Sequence, residues 1–188
     1  MLVSPLPATG SAAVPTAISP PAPAAWAAGQ ALTALYRAHY RALVRMAVLL
    51  VGDTATGEEV VQDSFLAVSA AWARLRGGDK ALAYLRQSVV NRARSVLRRR
   101  QVADRYPAPP DPDAPSAELG AIARLERSAV VAALRLLPPR QREVLVLRYY
   151  LDLPEAQIAA VLGISRGSVK AHTARAMAAM RSALAAEV

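Results

Sequence analysis

Five prolines crowded into residues 107–115 (Pro107, Pro109, Pro110, Pro112 and Pro115) divide this chain more firmly than any other feature. Each lacks a backbone N–H, fixes its own φ and pushes its predecessor out of the α region, so no helix interior or central strand runs through them. Residues 102–118 also carry four anions against one cation. They read as a semi-extended, acidic, Pro-rich linker between two flanks. Each flank has about 70 residues, which favours compact helical packing over a large core.

Charge falls on the flanks. Of the formal net charge of +9, residues 30–101 hold +7 and residues 119–188 hold +5, offset by the acidic linker. The first 36 residues carry no charged side chain. Alternating Ala and Pro there leave no sustained apolar face, so residues 1–28 read as a disordered tail, without the basic-then-apolar order of a secretory signal. The chain has no cysteine and only two histidines, His39 and His172. Disulfides and thiolate chemistry are excluded, and neither a metal site nor a cofactor is expected. Its longest apolar run near a possible span, residues 46–51, falls far short of the roughly 20 residues a membrane helix needs. A cytoplasmic protein without membrane insertion is expected.

Apolar residues recur at helical spacing and nowhere alternate for long with period two. Leu32, Leu35/Tyr36, Tyr40, Leu43/Val44, Ala47 and Leu50 mark one helix, stopped at Gly52-Asp53. Val61, Phe65, Val68 and Trp72 mark a second, and Leu82, Leu85, Val89, Ala93 and Val96/Leu97 a third over about 80–100. Beyond the linker, helices are predicted over 119–137, 140–150, 154–162 and 166 to about 187. The fold class is all-α: two small helical domains, residues 29–101 and 119–188, joined by the linker.

Residues 154–162, 163–165 and 166–181 have the dimensions of a helix-turn-helix. Gly163 suits the left-handed residue that ends the first helix, and Ser165 the N-cap of the second. Ile158, Ala159, Leu162, Ile164 and Val169 would pack the pair. Arg166, Ser168, Lys170, His172, Thr173 and Arg175 would face outward as donors to phosphates or base edges.

The third helix carries Arg86, Arg92, Arg94, Arg98, Arg99 and Arg100 with no anion among them, a cationic run suited to phosphates. The second helix has the opposite sign. Glu58 with Gln62, and Glu59 with Asp63, form an i,i+4 ridge that would repel nucleic acid and suits a basic protein partner. No base stands in register with these carboxylates and no phosphate-cradling loop is present, so no catalytic residue is assigned and the chain is not read as an enzyme.

The order of parts identifies a family. GEEVVQDSFLAVSAAW (57–72) resembles the core-polymerase-binding segment of bacterial sigma factors, and LRGGDKALAYLRQSVVNRARSVLRRR (75–100) their promoter −10 segment. Residues 137–184 resemble their −35-reading domain. With two lobes only, the chain is similar to the extracytoplasmic-function group of the sigma-70 family. The resemblance implies that Glu58, Glu59, Val60, Gln62, Asp63 and Leu66 dock on a basic coiled coil of the RNA polymerase core. It implies that a loop at 77–80, with Gly78, Asp79 and Lys80, joins Tyr84, Gln87 and Asn91 in capturing a −10 base, while Arg94 and Arg98 hold phosphates. Arg166, Ser168, Lys170, His172, Thr173 and Arg175 would enter the −35 major groove. Promoter DNA and the polymerase core are thus the implied partners, and an anti-sigma factor, which commonly holds members of this group, is a third.

The residues alone leave two other readings open. One is a conventional helix-turn-helix regulator whose residues 30–101 sense a signal or dimerise. The other is an interaction protein whose basic helices bind membranes or RNA nonspecifically.

Overall fold

The computed structural model describes residues 23–75, 78–103 and 129–185. Among these it is all-helical, in the order α1 (Pro23–Val51), α2 (Thr54–Ala71), α3 (Gly78–Ala103), α4 (Ala129–Leu136), α5 (Pro139–Leu145), α6 (Glu155–Leu162) and α7 (Arg166–Ala185). Residues 1–22 and most of the acidic linker lie outside the described residues.

The helix starts depart from the sequence reading in two places, each for a local reason. α1 begins at Pro23, inside the segment read as tail. Proline is tolerated in a first turn, and the alanines after it are the best helix formers. α3 begins at Gly78, so Asp79 and Lys80 lie in its first turn rather than in a loop. Asp79 there suits the positive end of the helix dipole.

Asp53 caps α2, its side chain accepting from the Thr56 N–H at 2.8 Å. Pro139 opens α5, and a π-helical turn, Val146–Tyr150, extends it. The extra residue in that turn lets the Leu151 N–H reach the Val146 carbonyl at 3.2 Å. Gly163 ends α6 at φ 65°, and the Ser165 hydroxyl caps α7 by accepting from the Ser168 N–H at 3.0 Å. Both turn residues have the roles their types predict.

α1, α2 and α3 pack as a three-helix layer around Leu43, Met46, Val61, Val68, Leu85 and Val89, all buried. Gly57 lies where α2 crosses α1: a Cβ there would sit 2.7 Å from Val48 Cγ2 and 3.1 Å from its backbone N. Around Val144, Leu147, Ile158 and Val169 the four later helices build a second centre. Yet the buried residues of both flanks form one continuous cluster. The flanks meet across an interface instead of standing apart, with α3 against α6 and the end of α1 against α4 and α5.

Two glycines should fail for different reasons. Gly57→Ala should cost roughly 1–3 kcal/mol, because the backbone of α1 must move to admit the methyl group. Gly163→Ala should cost about 1–2 kcal/mol from its left-handed φ alone, since nothing lies within 4 Å of the added carbon. Thermal denaturation checks both, and Gly163→Asn should recover part of the second loss.

Asp53 should impose a pH dependence. Burial raises its pKa, but the hydrogen bonds from Thr56 and the Arg100 guanidinium outweigh that and leave it lowered. A lowered carboxylate stabilises fully above its unfolded pKa of about 3.9, and that contribution fades as pH falls through the folded value. Asp53→Ala should lose about 0.5–2 kcal/mol at neutral pH and flatten the acid limb of a stability-against-pH curve.

Candidate nucleic-acid and docking interfaces

A stripe on α3 carries the candidate −10 residues. Lys80, Tyr84, Gln87, Asn91, Arg94 and Arg98 recur at steps of three and four, so they stand one above another on one face. Tyr84, Gln87 and Asn91 are exposed, and with Ala67, Ser88, Arg92 and Ser95 they line a cleft of about 320 Å³. Its floor is tied by short polar links: Ser95 Oγ donates to the Asn91 carbonyl at 3.1 Å, and Arg98 donates to Ser95 Oγ at 3.0 Å. An aromatic ring beside amide side chains can stack a flat base and bond its edge.

The cationic run of α3 is less available than its sequence suggests. Arg92 pairs with Asp63 at 2.7 Å. Arg94 makes a two-pronged pair with Glu143 of α5, Nε to Oε1 at 2.6 Å and Nη2 to Oε2 at 2.7 Å. Arg100 bonds the Val51 carbonyl and Asp53. Arg86 is half-buried, and burial lowers its pKa. Arg98 and Arg99 are left as the exposed cations not engaged by a carboxylate. Of the six arginines in the cationic run, acidic partners from α2, α5 and the α1–α2 turn thus claim half.

On α7 the six candidate −35 residues do not share one stripe. At about 100° per residue, Arg166 and Lys170 lie near one edge of the solvent face and Ser168 and Arg175 near the other. Arg166, Lys170 and Arg175 are exposed. Thr173 is half-buried, its hydroxyl donating to the Val169 carbonyl at 2.9 Å. His172 is also half-buried, and its Nδ1 has no partner. Glu155, at the start of α6, lies 3.5 Å from Arg148 and 4.0 Å from Lys170.

The acidic ridge of α2 is real but narrower than its sequence. Glu59, Gln62 and Leu66 are exposed, Leu66 to 69 %. Val60 is corrected out of this surface: it is 3 % exposed, because the core stripe of α2 includes it beside Val61. Asp63 is partly engaged by Arg92.

Sequence reasoning missed an aromatic group beside this ridge. Tyr36 and Tyr40, counted on the inward face of α1, stack with ring centroids 4.5 Å apart, and Tyr36 lies 5.0 Å from Phe65. Tyr36 is 42 % exposed. Burial, with Tyr36 beside it, pushes the Tyr40 hydroxyl up, while a hydrogen bond with Gln62 pulls it the other way. The clue in the sequence was two tyrosines one turn apart, a spacing that puts both rings on one face. The ridge is thus an apolar, aromatic patch rimmed by carboxylates, the composition of a protein-docking surface.

Among the described residues no cluster of three or more metal-ligating side chains occurs, and no helix is long and apolar enough to cross a membrane.

Two family models match the chain, one on each flank. The family model for Sigma-70 region 2 matches residues 35–102, and that for Sigma-70, region 4 matches residues 127–180. The RNA polymerase sigma-E factor of Streptomyces coelicolor is 30% identical over 150 residues, covering 80% of this chain and 84% of that protein. The ECF RNA polymerase sigma factor SigL of Mycobacterium tuberculosis is 33% identical over 170 residues, covering 86% and 93%. Among solved structures, CnrH in complex with the cytosolic domain of CnrY superposes with a TM-score of 0.66 at 28% identity, covering 88% of this chain and 96% of that one. The sigma factor RpoE of Bartonella quintana, solved with the anti-sigma factor NepR, shares the fold at a TM-score of 0.63 and 24% identity, covering 83% and 95%. With both regions in order, and relatives matched over most of their length, the chain belongs to the extracytoplasmic-function group of the sigma-70 family of RNA polymerase sigma factors.

Proposed function

We propose that this chain directs the RNA polymerase core to promoters and helps open the −10 region, supplying recognition and no chemistry of its own. The observation that carries the reading is the separation of opposite faces on one small body. An aromatic patch edged by Glu58, Glu59 and Gln62 lies on α1 and α2, the polar cleft runs along α3 with Ala67 of α2 at its edge, and the cations of α7 lie on the other flank. A carboxylate rim beside nucleic acid would be repelled; against a basic protein helix it is complementary.

In this reading Leu66 and Tyr36 supply the apolar centre of the polymerase contact, with Glu59 at its rim. Tyr84, Gln87 and Asn91 receive an unstacked −10 base, and Arg98 holds neighbouring phosphate. Arg166, Lys170 and Arg175 approach the −35 major groove from the two edges of α7. Cytoplasmic residence follows from these partners, and an anti-sigma factor is a further partner on the same likeness. The alternative of a sensing domain at 30–101 gives way to the region 2 match over that segment. Nonspecific membrane or RNA binding leaves the acidic, aromatic face without a use.

Glu59→Arg combined with Leu66→Ala should weaken affinity for purified core polymerase by about tenfold or more while the circular dichroism of the chain stays constant. Unchanged affinity would remove α2 from the docking surface. Arg166→Ala and Arg175→Ala should each cost roughly 1–3 kcal/mol in binding of the holoenzyme to a −35-containing fragment. Because they flank opposite edges of α7, the double variant should be additive within about 0.5 kcal/mol. A strongly coupled pair would instead show that both touch one base.

A further inference from the structure

We infer that Glu155 is a specificity-determining residue of the −35 face: held by Arg148, it biases the Lys170 ammonium away from backbone phosphate and toward base edges. The inference rests on the proposed −35 role of α7 and adds the residue that sets its discrimination.

The first ground is an asymmetry among three cations of α7. Glu155 Oε2 lies 4.0 Å from Lys170 Nζ, whereas among the described residues neither Arg166 nor Arg175 has a carboxylate within that distance. The difference falls on the side chain that most needs restraint. A guanidinium carries its own planar fork, which selects a bidentate acceptor by geometry. An ammonium is a compact charge on a flexible four-carbon stem and follows the nearest anion. On a duplex that anion is a phosphate, and a phosphate contact carries no sequence information.

The carboxylate is itself held, which is the second ground. Arg148 approaches its other oxygen, Oε1, at 3.5 Å, so the two oxygens are divided between two cations. The Glu155 side chain is 22 % exposed against 69 % for Lys170, which makes the carboxylate the fixed member of the pair and the ammonium the mobile one. Arg148 belongs to the π-helical turn Val146–Tyr150. Such turns are rare and recur at functional sites.

Position supplies the third. Glu155 opens α6, the first helix of the helix-turn-helix. In that motif the first helix crosses the phosphate backbone while the second lies in the groove. A carboxylate there repels the phosphates that would draw Lys170 aside, and it occupies one direction of an ammonium that has three donors. The others are left for acceptors such as guanine O6 and N7. Discrimination is a difference of two affinities, so weakening the nonspecific complex sharpens it. With Lys170 exposed and 4.0 Å away the pair is weak, and the bias it sets is accordingly a few-fold.

The test uses the full chain, first alone and then assembled with core polymerase. Lys80 and Lys170 are its only lysines, so carbon-13 labelling of lysine gives two side chains to follow by NMR relaxation. Glu155→Asp keeps the charge but draws the carboxylate back by one methylene. Without DNA it should raise the mobility of the Lys170 side chain and leave that of Lys80 as it is. Unchanged Lys170 mobility overturns the restraint. This arm contains neither DNA nor polymerase, so a failure of the promoter reading leaves its result intact and the two failures are told apart.

The holoenzyme is then measured on two probes: the duplex that the parent holoenzyme enriches most from a randomised library, and a mixed-sequence duplex. Glu155→Asp and Glu155→Gln should each lower the ratio of the two affinities by about threefold or more. In the parent background Lys170→Ala should leave the salt slope of mixed-sequence binding as it is. Beside Glu155→Gln, where the freed ammonium meets phosphate, it should reduce that slope by about one. Lost discrimination in Glu155→Gln but not in Glu155→Asp overturns the positioning role, since total charge then accounts for it. Equal slope changes in both backgrounds overturn it as well, because Lys170 is then on phosphate throughout. If Glu155→Gln does not fold, Glu155→Asp decides by the same ratio and carries Lys170→Ala beside it, Asp being favourable in a first helical turn. A parent holoenzyme that enriches no sequence overturns the promoter reading and the discrimination assigned to Glu155 together.

Discussion

The end of α1 holds this molecule together. Helix C-termini leave carbonyls without intrahelical partners, and a buried one costs about 1–3 kcal/mol if unpaired. Three successive carbonyls here each receive an arginine from a different element: Leu50 from Arg142 at 2.8 Å, Val51 from Arg100 at 3.0 Å and Gly52 from Arg135 at 2.6 Å. Arg100 belongs to α3, Arg135 to α4 and Arg142 to α5. One helix end therefore orients both flanks, and the positive charges suit its negative dipole. Lysine could not substitute in kind. Arg142 also bonds the carbonyls of Arg135 and Leu137, closing α4, a span that needs a forked donor. Burial lowers the Arg142 pKa, yet a guanidinium starts so high that it remains charged.

That arrangement explains which parts of the structure were legible in the sequence. Helices whose stripes face a core within one flank follow directly from apolar spacing, as with Val61, Phe65 and Val68 on α2. The turn at Gly163–Ser165 was also legible, because αL geometry and an N-cap select those residue types locally. The interface was not. Arginine spacing cannot say whether a guanidinium meets water, phosphate or a carbonyl 92 residues away, as between Arg142 and Leu50. Nothing in the spacing around Glu143 marks it for burial; the approach of Arg94 from α3 does that. Val60 failed for a simpler reason: a helix packed between two neighbours buries a wider arc than one apolar stripe.

A formal charge of +9 overstates the field available to nucleic acid. Arg92, Arg94 and Arg100 are neutralised by Asp63, Glu143 and Asp53, so in this packing much of the positive charge of α3 is paired within the fold. Exposed pairs such as Arg92–Asp63 add at most about 1 kcal/mol of stability and yield readily to a competing anion. The Arg94–Glu143 pair, whose carboxylate is buried, is better shielded from such competition.

The three candidate faces differ in how far this packing covers them. α2 packs mainly on α1 and α3, and its outer side, with Glu59 and Leu66, is exposed. The solvent edge of α7 with Arg166 and Arg175 is exposed as well. Only the α3 stripe is partly covered, by α6 and by the pairing of Arg94. In the proposed reading a protein partner reaches the acidic face directly, whereas the start of the α3 stripe is approached past α6. Under the proposed function, docking on the acidic face then comes before use of the α3 stripe, because a first anchored contact lowers the entropic cost of the second.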